Sequence, residues 1–158
     1  MQTSIKGVSR TRQVVAAVVG NALEWYDFIV YGFLASIIAR QFFPSDDEYA
    51  SLLMALATFG VGFFMRPVGG ILLGMYADRK GRKAAMQLII RLMTVSIALI
   101  VFAPNYAAIG MGAPLLIVVA RMLQGFATGG EYASATAFLV ESAPAHRKGL
   151  YGSWQLVG

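Results

Sequence analysis

The amino-acid sequence predicts an all-α, polytopic membrane protein with four complete transmembrane helices and the start of a fifth. Three observations carry that prediction. Hydrophobic residues make up 58% of the 158-residue chain and charged residues only 13%, against about 25% charged in a soluble domain. The apolar residues gather into runs of about 20, the length that crosses a bilayer as a helix. The basic residues stand in short clusters between those runs, and clustered loops alternate with loops nearly free of them, as the positive-inside rule describes. Residues 1–13 read as a cytoplasmic tail and 14–158 as the transmembrane domain.

The first helix is expected from about Val14 to Ile38, after a tail carrying Lys6, Arg10 and Arg12. Basic residues followed by "VVAAVVGNAL" also resemble a cleavable signal peptide. Glu24 and Asp27 interrupt that apolar stretch, however, and no small-x-small site follows at the right distance, which favours a membrane helix. The second helix runs from about Ser51 to Tyr76 and leads into "GMYADRKGRK", Gly74 to Lys83. The third runs from about Ala84 to Phe102, followed by the uncharged loop "APNYAAIGMGA". The fourth runs from about Pro114 to Val140, with Pro114 in a first-turn position where its missing N–H costs nothing. A fifth begins near Leu150, and Gly158 comes too soon for it to cross.

Lys and Arg placement sets the expected orientation. The tail, the loop with Arg79, Lys80, Arg82 and Lys83, and the loop with Arg147 and Lys148 share one side. The other side has Arg40 beside the acidic run Asp46, Asp47 and Glu48. The N-terminus and the "ADRKGRK" loop are therefore expected in the cytoplasm, and the membrane is a plasma (inner) membrane. The net charge of +5 is scattered through these clusters and forms no continuous basic face, so the expected partner is a lipid bilayer and no nucleic acid. The chain has no Cys and a single His, His146, which excludes disulfides and thiol chemistry and argues against a metal site. No cofactor is expected.

Six charges fall within the predicted helices: Glu24, Asp27, Arg66, Arg91, Arg121 and Glu131. A charge in lipid costs several kcal/mol (roughly) unless paired or hydrated, so each is a functional candidate, although some merely join helices together. At about 1.5 Å per residue, Glu24 lies roughly 15 Å along the first helix, near mid-bilayer, and Asp27 roughly 20 Å. Arg121 sits about 10 Å inside the outer end of the fourth helix, which puts it near the level of Asp27. Glu24 and Asp27 are one turn apart on one helix face, and Asn21 and Tyr31 extend that polar stripe. An ion pair between the first and fourth helices is geometrically possible. Gly70 with Gly74, and Gly125 with Gly129, form GxxxG spacings that let helix backbones approach closely; ordinary helix packing accounts for them.

Gly74 to Lys83 resembles the G-x-x-x-D-R-x-G-R-K/R cytoplasmic loop signature of the major facilitator superfamily, complete and in the loop where that superfamily carries it. Arg121-Met122-Leu123-Gln124-Gly125 resembles the R-x-x-Q-G signature of its fourth helix. The residues from Leu123 through Gly125, Phe126, Gly129, Phe138 and Glu141 to Lys148 resemble the sugar-transporter-type signature. More narrowly, "GNALEWYDFIVYGF", "FFMRPVGG", "GFATGGEY" and "GLYGSWQ" resemble the metabolite:proton symporter family, whose members take up citrate and other carboxylates, 2-oxoglutarate, shikimate, or proline and betaine. The resemblance covers the whole chain. It implies a twelve-helix fold of which this chain is the N-terminal part, an N-terminal fragment whose C-terminal half is missing and whose first and fourth helices line a central cavity. It also implies a conformational latch. The carboxylate of Asp78 would meet the N-terminus of a helix in the other half, and Arg82 would reach Glu141, with Gly74, Arg79 and Gly81 as further residues of the latch.

The leading functional expectation is a proton-coupled symporter that takes up a small polar metabolite by alternating access, with an organic acid such as citrate as cargo. Asp27 or Glu24 would carry the proton. Arg121 would hold that carboxylate ionised or bind a substrate carboxylate, with Gln124, Asn21, Tyr31, Glu131 and Arg91 as further substrate or ion-pair candidates. A zwitterion such as proline or betaine stays open. A membrane-embedded enzyme is opposed by the lack of a nucleophile–base set, metal set or phosphate loop. A non-transporting scaffold or sensor is opposed by the polar residues on the cavity-facing helices.

Overall fold

The computed structural model of the chain describes residues 10–143 and 145–153. Its elements are α1 (Arg10–Phe42), α2 (Glu48–Lys80), α3 (Arg82–Val101), a one-turn α4 (Tyr106–Ile109), α5 (Gly112–Ser142), a 3₁₀ turn at Ala145–Arg147 and α6 (Lys148–Ser153). All four expected spans are helical, and three of them start earlier and end later than the hydropathy reading. Arg10, Arg40, Gln41, Arg79 and Lys80 are good helix formers that continue a helix past its apolar stretch, whereas hydropathy registers only the stretch that lipid covers. Among the described residues, Glu48–Lys80, Ala84–Val101 and Gly112–Ala137 are long and apolar enough to cross a membrane.

The helix ends follow local chemistry. Asp47 caps α2, its carboxylate accepting the Tyr49 N–H at 2.9 Å, so part of the acidic run is a helix N-terminus. Arg40 at the end of α1 meets Glu48 at the start of α2 at 2.5 Å, and the Ser51 hydroxyl donates to the Phe43 carbonyl. The short α4 was not expected. Asn105 caps it by accepting the Ala108 N–H at 3.0 Å, and Gly110 ends it with φ 56°. A four-residue helix has too few turns to show a periodicity.

The chain forms two compact units, Phe28–Ser134 and the remainder, which joins α1 up to Asp27 with the residues from Ala135 onward. The larger unit packs the second part of α1 against α2, and α2 against α3 and α5. One apolar cluster joins Ala39, Phe43, Ala55 and Ile117; a second joins Leu73, Ile89 and Ala127, with Leu88, Leu92, Met93 and Phe126 against them. The core is built mainly of small residues, and large apolar side chains point outward: Phe33 and Phe64 are each 83% exposed and Leu53 66%. A water-soluble monomer does not present apolar surface on that scale; a bilayer covers it. In the smaller unit, a Cβ added at Gly152 of α6 would rest 3.6 Å from Val140 of α5.

The closest helix contact is between α2 and α5. A Cβ at Gly125 would lie 2.7 Å from the Gly62 carbonyl carbon, one at Gly129 would lie 2.7 Å from that of Arg66, and one at Gly69 would lie 2.6 Å from that of Phe126. Gly130 faces Leu73, whose Cβ is 2.6 Å from the position a Gly130 Cβ would take. From the Gly62–Gly125 contact to the Leu73–Gly130 contact the numbers rise on both helices, so α2 and α5 run parallel. Tyr31 meets Ala55 and Phe28 meets Phe63, so α1 and α2 run antiparallel. Both relations are those of successive membrane crossings, with α2 and α5 travelling the same way. The expected Gly125–Gly129 pair is at this contact. Gly70 only grazes it, 3.5 Å from the Gly129 carbonyl oxygen, and Gly74 has nothing within 4 Å, so the expected Gly70–Gly74 pair is not a packing pair in this unit.

Candidate functional site

The site in the larger unit grows from side-chain spacing on three helices. On α1, Phe28 and Tyr31 are one turn apart. On α2, Phe59, Phe63 and Arg66 recur at helical spacing on one face. On α5, Arg121, Gln124 and Thr128 do the same. These faces converge on an aromatic cluster. Tyr31 stacks on Phe59 with ring centroids 5.4 Å apart; Phe28 meets Phe59 at 5.4 Å and Phe63 at 5.3 Å; Phe59 meets Phe63 edge-on at 5.2 Å. The Tyr31 hydroxyl donates to the Ala55 carbonyl at 3.1 Å, which fixes the ring against α2.

Two arginines occupy the cluster's faces. The Arg121 guanidinium lies 3.9 Å over the Tyr31 ring, and its Nη1 donates to the Gln124 side-chain oxygen at 2.5 Å. Arg121, Gln124 and Tyr31 are all buried, at 4%, 4% and 3% exposure. The Arg66 guanidinium lies 4.4 Å over Phe28 and 4.6 Å over Phe63. Each cation rests on ring faces whose quadrupole attracts it, a contact worth about 2 kcal/mol when desolvated. These contacts hold each guanidinium in place against the rings. An anion entering between α1, α2 and α5 would meet fixed, planar donors suited to bidentate binding of a carboxylate.

The expected site residues divide. Arg121, Gln124 and Tyr31 come together as a set. Glu131 is half-buried further along α5. Glu24 and Asp27 are half-buried one turn apart on α1 and belong to the smaller unit; the Asn21 side chain lies outside the described residues. The Arg121 guanidinium stacks on Tyr31, four residues after Asp27 in the sequence. Arg91 does not join the set. It is exposed on the side of α3 turned away from buried Ile89.

Sequence reasoning left two residues out of the site. Arg66 was singled out only as an intramembrane charge; its spacing from Phe59 and Phe63 is the signal that seats it. Thr128 was not singled out. It is 1% exposed, and its hydroxyl has no hydrogen-bond partner among the described residues. Its place seven residues after Arg121 marks it as part of the same face.

At the loop, Gly81 has φ 93°, a backbone region that side chains with a Cβ avoid. Its N–H closes α2 on the Ala77 carbonyl at 2.9 Å, and Arg82 begins α3 immediately. Arg79 and Lys80 complement the negative end of α2, but Asp78 in the same turn does not. Its carboxylate is exposed and lies 3.5 Å from the Arg82 guanidinium. Glu141, the expected partner of Arg82, has its side chain outside the described residues.

Comparison with known proteins identifies the family. The family described as "Sugar (and other) transporter" matches residues 13–158. A citrate-proton symporter of Klebsiella pneumoniae is 44% identical over 94% of this chain and 34% of its own length. A proline/betaine transporter of Salmonella typhimurium is 43% identical over 90% and 29%, and a shikimate transporter of Escherichia coli 42% identical over 96% and 35%. The chain therefore spans about a third of the length of these curated relatives. No solved structure matches it. With residues 13–158 matched by that family's model, the chain belongs to the sugar (and other) transporter family of the major facilitator superfamily.

Proposed function

We propose that the protein is a proton-coupled symporter that takes up an organic acid by alternating access, with its N-terminus in the cytoplasm. The observation that carries the substrate class is the seating of Arg121 and Arg66 on the aromatic cluster. Each guanidinium, seated on ring faces, is a planar multi-donor group suited to a carboxylate. The same geometry weighs against the second reading, a zwitterion such as proline or betaine. A quaternary ammonium is recognised by vacant aromatic faces, and here Tyr31, Phe28 and Phe63 each carry a guanidinium. The relatives include a citrate symporter and a shikimate transporter beside the proline/betaine transporter, so the second reading is kept for test.

In this reading Arg121, steadied by Gln124 and Tyr31, binds a substrate carboxylate, and Arg66 draws the anion inward. Asp27 or Glu24 carries the proton. Asp78, Gly81 and Arg82 form the cytoplasmic latch that opens as the cavity changes sides. The test is uptake into vesicles holding the full-length protein with an inward proton gradient. Labelled citrate, shikimate and proline are offered in parallel. Accumulation of an organic acid that an uncoupler abolishes is expected. Accumulation of proline alone would move the substrate to the zwitterion class, and accumulation of none would remove the transport reading.

A further inference from the structure

Arg91 is an intramembrane charge that the site does not use. Helix α3 buries Ala85, Ile89 and Ser96, each at 0% exposure. Its opposite side carries Gln87, Ile90, Arg91 and Thr94, all exposed. The Thr94 hydroxyl donates to the Ile90 carbonyl at 2.8 Å, so its polar atom is satisfied within the helix. Ile90, at 57% exposure, offers plain hydrocarbon. Besides Gln87, the polar group left on this face is the Arg91 guanidinium, which makes no ion pair or hydrogen bond among the described residues.

Helical side chains lean toward the helix N-terminus. The Arg91 side chain therefore leans along α3 toward Gln87, one turn earlier, and toward the basic loop. Arg91 is nine residues from the start of α3, roughly 13 Å, and a long arginine side chain shortens that distance by snorkelling. In the orientation proposed above, its guanidinium approaches the cytoplasmic headgroup level. There Arg79 and Lys80 are exposed and positive, while Arg82 is partly offset by Asp78.

We propose that this face of α3 binds an anionic phospholipid of the cytoplasmic leaflet. Arg91 and Gln87 would hold the headgroup phosphate, with the acyl chains along the apolar surface beside Ile90. Charge complementarity selects the lipid: juxtamembrane basic clusters draw anionic lipids, and the guanidinium on the face below gives the phosphate a directional partner. The inference rests on the orientation in the proposed function, but the lipid measurement does not depend on transport.

The test is native mass spectrometry of the full-length protein at low salt with equimolar phosphatidylglycerol and phosphatidylcholine of matched chains. Wild type is expected to retain phosphatidylglycerol preferentially. Arg91→Leu is expected to lower that preference about fivefold, the worth of one basic residue near an anionic leaflet, and Arg91→Lys to keep most of it. Wild-type preference in Arg91→Leu would mean that the loop alone attracts lipid, and would overturn the proposal. So would a wild type with no preference. Arg91→Gln serves if the leucine variant fails to fold. Loss of thermal stability in the variants to the same extent with either lipid would assign Arg91 to a carboxylate of another helix, which also overturns it. Uptake is measured separately, so a protein that selects lipid but accumulates no substrate sinks the transport reading alone.

Discussion

Adding one methyl group to α5 tests the helix contact that holds the larger unit together. Gly125→Ala would place a Cβ 2.7 Å from the Gly62 carbonyl carbon and 2.8 Å from its Cα. Both are backbone atoms and cannot turn aside as a side chain would, so the helices must part or rotate. Overpacking of this kind costs about 1–3 kcal/mol, and parting by even about 1 Å forfeits up to half of each facing contact's attraction. Alanine is the better helix former by about 1 kcal/mol, which offsets part of the cost. The expected net loss is up to about 2 kcal/mol, or a melting temperature lower by up to roughly 4–8 °C. Gly129→Ala meets the Arg66 backbone at the same distances to within 0.1 Å and should behave alike. Gly60→Ala and Gly74→Ala have nothing within 4 Å, keep the propensity gain and should be neutral or slightly stabilising. Thermal unfolding of the four variants in detergent reads the difference. Equal melting temperatures across the set would refute the α2–α5 contact as the source of stability.

Asp78→Asn should impair uptake severely while leaving expression near wild type, because the carboxylate sits where it gives its own helix nothing; wild-type uptake would reduce the loop to an orientation signal. Tyr31→Phe loses the hydroxyl bond to Ala55 but keeps the ring under Arg121, so its uptake should fall a few-fold at most. Tyr31→Leu removes the ring and should raise KM about tenfold or more, in line with roughly 2 kcal/mol for a desolvated cation–π contact; equal KM values for the two would separate Arg121 from the ring. Asp27→Asn should abolish gradient-driven accumulation while exchange of substrate survives, and Glu24→Gln should give a similar or weaker defect. Two carboxylate variants that both accumulate substrate like wild type would move the proton site off α1.

The membrane helices were legible in the sequence because a bilayer imposes one length and one polarity on whatever crosses it. Arg121 with Gln124 was legible for the same reason, since a charge among apolar residues stands out. Helix ends were not, because Arg10 and Lys80 are as content in a helix as in a loop. The glycine contact was half legible. The spacing of Gly70 and Gly74 describes a face and does not name what lies against it; α5 crosses α2 over Gly62, Arg66 and Gly69 and leaves Gly74 uncovered. Arg66 was undervalued because its partners, Phe28 and Phe63, come from two helices, and no local pattern pairs them.

Helix α2 ties these features together. Its Phe59, Phe63 and Arg66 build the aromatic cluster with its seated cation, its Gly62, Arg66 and Gly69 meet the backbone of α5 directly, and its last turn presents Asp78 to the loop. From Arg66 to Asp78 is twelve residues, about 18 Å of helix. Side chains can change rotamer and absorb a small displacement; a backbone-to-backbone contact has no such slack. A shift of α5 as an anion settles on Arg121 would therefore be carried by α2 to Asp78 with little loss. The exception is Pro67, next to Arg66, which has no N–H to give the Phe63 carbonyl and so leaves the helix one hydrogen bond short at that point. Pro67→Ala restores the bond and should raise the melting temperature. If α2 bends there as the cavity changes sides, the same change should slow substrate exchange across the membrane; a variant that is more stable and exchanges at the wild-type rate would show that α2 moves as a straight rod.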